Sequence, residues 1–143
     1  MHCWVQIRII MMNKQSLLYQ KNSIESLSPG RIILLLFNTC LQSLTKVREV
    51  LNLEFSVKNQ EILHNNLQKV ERILHELQSC LNFKPAKELA DTLFRLYDYA
   101  CDQLALVRSK KSIESLDNVE RFLKELRDGW AEMLQKRETE KNN

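Results

Sequence analysis

The chain has 143 residues, 44% of them hydrophobic and 27% charged, with a formal net charge of +3. That gives room for one domain with a modest core, and so mild a basic excess, spread along the chain, excludes a nucleic-acid footprint. Two glycines, two prolines and 7% aromatics argue against a turn-rich sheet and for long helices, and no run reaches the roughly 18 unbroken apolar residues of a membrane span.

Residues 1–12, Met-His-Cys-Trp-Val-Gln-Ile-Arg-Ile-Ile-Met-Met, differ from everything after them. Arg8 interrupts the apolar run and no small-residue cleavage site follows, so this is not a signal peptide. The pair Met11 and Met12 suggests that the working protein starts there and that residues 1–11 are not native. The expected organisation is a flexible extension over 1–18, one helical domain over 19–137 and a polar tail over 138–143. Residues 13–27 are polar and loop-like, punctuated by Leu17, Leu18, Tyr19, Ile24 and Leu27.

Ser28 and Pro29 suit the N-cap and first position of a helix, which is predicted to run to about Leu51. Its early turns, Ile32 to Phe37, are apolar nearly all round. Ile33, Leu36, Cys40, Leu44 and Val47 make one stripe, while Leu34, Leu41 and Leu35 fall outside it. Either the bundle encloses this helix, or part of its surface waits for a partner.

A linker through Phe55 and Ser56 leads to a second helix, about Asn59 to Leu81. Its apolar residues Ile62, Leu63, Leu67, Val70, Ile73, Leu74, Leu77 and Leu81 span an arc of about 140°. Asn82-Phe-Lys-Pro85 breaks that helix. A third follows over about Ala86 to Val107, with Leu89, Ala90, Leu93, Phe94, Leu96, Tyr97, Ala100, Cys101 and Leu104 as its expected core stripe. Tyr99 and Leu106, seven apart, lie together outside it. After Arg108-Ser-Lys-Lys-Ser112 comes a fourth helix, about Ile113 to Arg137. Its narrow seam is Leu116, Val119, Phe122, Leu123, Leu126, Trp130, Met133 and Leu134, and Glu120–Lys124 and Glu132–Lys136 are favourable i,i+4 pairs. Four long helices with short links predict an all-α protein, an antiparallel up-down four-helix bundle with a flexible N-terminal segment.

The residues offer little chemistry. His64 and His75 share a face of the second helix but stand about 16 Å apart by helical rise, too far for one metal ion. No phosphate loop, serine elbow or convergent acid cluster appears, so the chain reads as a binding bundle, not an enzyme, with no cofactor. Cys3, Cys40, Cys80 and Cys101 lack metal-type or paired spacing, and three of them read as small buried hydrophobes in a reducing setting.

Four stretches then combine. Tyr19 with Ile24-Glu-Ser-Leu-Ser-Pro-Gly-Arg-Ile-Ile-Leu-Leu-Leu-Phe37 resembles the opening of the FliS family of flagellar export chaperones, a Tyr followed by V-x-T-A-S-P and an apolar helix. Asn66-Leu-Gln-Lys-Val-Glu-Arg-Ile-Leu-His-Glu-Leu-Gln-Ser-Cys-Leu81 is similar to its N-x-x-x-K-A-x-x-I-I-x-E-L-x-x-S-L. Glu88 to Tyr99 is similar to E-I-A-x-N-L-x-x-L-Y-x-Y, and Glu125-Leu-Arg-Asp-Gly-Trp130 to E-L-R-x-A-W. Together they cover about residues 19–134 in order. Leu27 replaces a small residue, the loop Lys84-Pro-Ala-Lys87 lacks the family's glycines, and Gly129 stands where Ala is usual.

The resemblance implies a cytoplasmic chaperone that binds the disordered C-terminal segment of flagellin, prevents premature polymerisation and keeps it competent for type III flagellar export. It implies a monomer when bound, no membrane insertion, and room for other flagellar export or regulatory proteins as partners. An N-terminal piece carrying Tyr19 is expected to cover part of the empty site, with residues 13–24 displaced on binding. The expected partner-binding residues are Tyr19, Ile24 and Leu27 on that piece, Asn66, Lys69 and Ile73 on the second helix, and Leu96 and Tyr99 on the third. Two alternatives remain: a generic helical adaptor, and a histidine phosphotransfer bundle. The latter usually has a Lys shortly after its His and small residues nearby; His64 is followed by Asn65-Asn-Leu-Gln-Lys69, and neither His has those surroundings.

Overall fold

A computed structural model describes residues 29–81, 84 and 86–141. They form four helices, α1 (Pro29–Leu51), α2 (Val57–Ser79), α3 (Lys87–Lys110) and α4 (Ile113–Lys141). Tyr19, Ile24 and Leu27 lie outside the described residues. α1 packs against α2 and α4, and α3 packs against the same two. The helices therefore form a ring in chain order, the antiparallel bundle that short links dictate.

Local chemistry sets the ends. Pro29 opens α1. Ser56 caps α2, its side chain accepting from the Asn59 N–H at 3.0 Å, so this helix starts two residues earlier than its apolar pattern suggests. Between α3 and α4 only Lys111 and Ser112 remain. Lys111 is left-handed, at φ 55°, with its N–H on the Val107 carbonyl, and the Ser112 hydroxyl accepts from the Ser115 N–H at 3.1 Å. α4 continues through Lys141, into the stretch expected to be a polar tail; Arg31 of α1 pairs with Glu138 there.

Leu36, Leu44, Leu67, Leu74, Leu104, Leu116 and Leu123 are almost fully buried, each contributing about 1.5–3 kcal/mol by burial. The expected stripe of α1 is buried throughout, and Leu41 joins it. Leu34 and Leu35 are half-buried. The apolar excess of α1 is thus largely enclosed, since the helix is flanked on two sides.

α3 departs from its expected stripe. Ala90, Tyr97, Ala100, Leu104 and Val107 are buried, whereas Leu89, Phe94 and Leu96 are exposed, Leu89 at 61%. Ala90 and Ala100 lie at the contact, and the larger side chains at the edge of the stripe are left outside. Ion pairs tie the ring: Arg108 of α3 to Glu71 of α2 at 2.6 Å, and Arg48 of α1 to Glu120 of α4 at 2.9 Å. Glu120, expected to pair along its own helix with Lys124, reaches across instead. Partly exposed pairs of this kind are worth about 0–1 kcal/mol each.

Candidate functional site

Two apolar features stand out. The first is a cavity of about 240 Å³ at the end of the bundle where α1 begins and α4 finishes. Ile33 and Phe37 of α1 line it, with Leu77 of α2 and the following Cys80 and Leu81. α3 adds Leu93 and Tyr97, and α4 adds Leu126 and Trp130. The Trp130 indole N–H donates to the Gly30 carbonyl at 2.8 Å, which fixes the ring at the cavity wall and gives its N–H the partner a buried indole requires. Gly30 lies against Leu134, whose side-chain end would have to shift if a Cβ were placed there.

The second feature runs along α3. Leu89, Leu96, Tyr99 and Leu106 are all exposed, Tyr99 at 44%. Leu96 stands two residues from both Phe94 and Asp98, about 160° around the helix. The Phe94 carbonyl and Asp98 carboxylate both accept from the Gln78 side chain of α2. Leu96 therefore points away from α2. Gln103, seven residues on and on the same side, accepts from Asn118 of α4 at 3.1 Å. The stripe thus borders the groove between α3 and α4. Leu93 lies four residues after Leu89 and three before Leu96, so the stripe meets the cavity at its wall.

By contrast, the groove between α2 and α3 is a polar seam. Arg108 donates to Glu71 and to the His64 Nδ1, the latter at 3.3 Å, and Gln78 closes its other half. Asn66 stands two residues from His64 and Lys69 two from Glu71, on the other side of α2. The Lys69 ammonium is near enough to act on Cys40 of α1, and the Asn66 side chain donates to the Ile62 carbonyl. Ile73 is a core residue, 3% exposed. Of the expected site residues, Leu96 and Tyr99 come together, while Asn66 and Lys69 lie on the face that α2 shares with α1. Leu89 and Leu93 were read only as core. Their sequence spacing to Leu96 suits an exposed stripe equally well.

Burial pushes the Cys40 thiol up to about 12, against the Lys69 charge, and the half-buried Cys101 thiol up to about 11. These are unreactive protonated thiols. His75 is exposed, as is His64. Among the described residues, no group of His, Cys, Asp and Glu could hold a metal ion and no helix is long and apolar enough to cross a membrane. Two larger hollows, about 400 and 370 Å³, lie over the charged outer face of α4 around Glu132, Lys136 and Glu140. Their lining is mostly charged and polar side chains of α4.

Residues 11–137 match the sequence profile of a family described as "Flagellar protein FliS". A relative from Bacillus subtilis (strain 168), "Flagellar secretion chaperone FliS", is 30% identical over 118 residues, which are 82% of this chain and 84% of the relative. "Flagellar secretion chaperone FliSB" of Pseudomonas aeruginosa is 31% identical over 116 residues, 78% of this chain and 89% of the relative. A solved structure titled "Crystal structure of flagellar chaperone from bacteria" superposes with a TM-score of 0.66 at 28% identity, covering 82% of this chain and 93% of the other.

Proposed function

The chain belongs to the FliS family, a family of flagellar chaperones and not of enzymes, and from that premise we propose that it binds the C-terminal segment of flagellin in the cytoplasm. In doing so it holds flagellin unpolymerised and ready for type III export. The observation that carries this reading is the stripe Leu89, Leu96, Tyr99 and Leu106, apolar surface that a free-standing bundle does not need. At a rise of about 1.5 Å per residue it extends roughly 25 Å, the length of an amphipathic helix of about 17 residues. An amphipathic segment laid in an apolar groove is a recurrent recognition mode, and a segment disordered when free suits a surface of this extent. Leu96 and Tyr99 are proposed contacts. For one segment also to touch Asn66 and Lys69 it must wrap round the bundle. Residues 13–24, with Tyr19 and adjoining Ile24 and Leu27, are proposed to cover part of the site when it is empty, which would shield the patch from aggregation.

The test is retention of flagellin, whole or lacking its C-terminal segment, by the immobilised chain. Whole flagellin is expected to bind and the truncated form to lose binding. Leu96→Glu with Leu106→Glu should weaken retention at least tenfold without unfolding the bundle, because both positions are exposed. Equal retention of both flagellin forms would contradict the reading.

A further inference from the structure

At the end of the bundle away from the cavity, the link between α1 and α2 is fixed in place yet turns its apolar side chains to solvent. The Leu53 N–H donates to the Val50 carbonyl at 3.0 Å and the Asn59 side-chain amide to the Glu54 carbonyl at 2.9 Å. Ser56, its backbone extended, caps α2. Along this link Leu53, Phe55 and Val57 alternate, and they are 58%, 81% and 81% exposed. Ile113 is exposed at the same end, because Leu53 follows Arg48 of α1 closely and Ile113 shortly precedes Asp117 of α4, with which Arg48 pairs. Phe55 alone offers roughly 150 Å² of surface. The four together reach the several hundred Å² at which a patch on a monomer marks an interaction site.

We propose that the free chain self-associates through this patch, as a weak two-fold dimer in which the α1–α2 links of two copies lie antiparallel about Ser56. The occupant follows from the order of residues across that serine. A two-fold contact requires that residue i meet residue j and j meet i. Counted outward from Ser56, Phe55 is matched by Val57 and Glu54 by Lys58, so the antiparallel pairing sets apolar against apolar and carboxylate against ammonium, once on each side of the axis. Both charges are available for it, since among the described residues neither Glu54 nor Lys58 has an ion-pair partner. α2 also has no acidic residue in its first turn, so the carboxylate from the second copy meets the positive end of that helix. Two facing patches with their polar rims would bury roughly 1,000 Å² in total, the low end of specific interfaces, which suits a reversible dimer. Nothing in this contact depends on flagellin.

Sedimentation equilibrium of the full chain in reducing buffer, from micromolar to near-millimolar concentration, tests this with four variants. The wild-type chain should pass from monomer to dimer across the series. Phe55→Asp should weaken association at least tenfold and melt with the wild-type chain, because the side chain it replaces is exposed. Glu54→Lys and Lys58→Glu should each weaken association about three- to tenfold, since each breaks two rim pairs at once. The double variant Glu54→Lys with Lys58→Glu should recover it, a rescue that a merely structural effect would not give. A chain that stays monomeric throughout would overturn the proposal. So would a dimer indifferent to Phe55→Asp, which would place the contact elsewhere, or a double variant no better than the single ones. If the chain stays monomeric and Phe55→Asp instead weakens its retention of flagellin, the patch belongs to that partner, which also overturns the dimer.

Discussion

Cys40 shows how the interior of this bundle constrains a single group. It sits fully buried in α1, and burial holds its thiol near 12 against an ordinary 9.0, only partly relieved by the Lys69 charge. The folded state therefore disfavours the thiolate. A thiol whose folded value is raised contributes stability that is fully present below the unfolded value of 9.0 and is lost as pH rises toward 12. Cys101 acts in the same direction at about 11. Urea midpoints measured from pH 7 to 11 should hold level to about pH 9 and then fall. Cys40→Ala should make the alkaline fall shallower even if it lowers the midpoint at pH 7. An identical slope in that variant would show that Cys40 does not govern alkaline unfolding.

At the scale of the elements, two positions are not optimised for helix. Lys111 adopts φ 55° at the end of α3, a left-handed conformation that favours glycine. Gly129 lies inside α4 with nothing within 4 Å of where a Cβ would stand. Lys111→Gly and Gly129→Ala should each stabilise by up to about 1 kcal/mol, read from chemical denaturation, and should add because the sites are distant. A loss of stability from Gly129→Ala would mean that its outer face is not open. The elements also separate what the sequence could reveal from what it could not. Apolar period and the Pro29, Pro85 and Ser112 breaks were enough for four helices, since those signals are local. The outward position of Tyr99 and Leu106 was legible for the same reason. The exposure of Leu89 and Leu96 was not, because two apolar residues at the edge of a stripe are buried or exposed according to how the helix is rotated and docked against its neighbours, which local spacing does not encode. The polar α2–α3 seam was hidden likewise. Arg108 and Glu71 are 37 residues apart, and only the folded ring brings them together.

For the whole molecule, the ring has unequal sides. The α2–α3 side is closed by Arg108, Glu71, His64 and Gln78, whereas the α3–α4 side presents apolar side chains and leads to the cavity at the end where α1 begins. A partner seated there would touch the helix that follows the breaking loop and the end of the bundle to which residues 1–28 attach. Binding and any displacement of the N-terminal piece would then occur at one place. Hydrogen exchange with and without saturating flagellin C-terminal peptide tests this most directly. Peptides spanning residues 89–106 should gain protection and those spanning 13–24 should lose it, while the start of α2 stays unchanged. Unchanged exchange over both 89–106 and 13–24 would contradict the account.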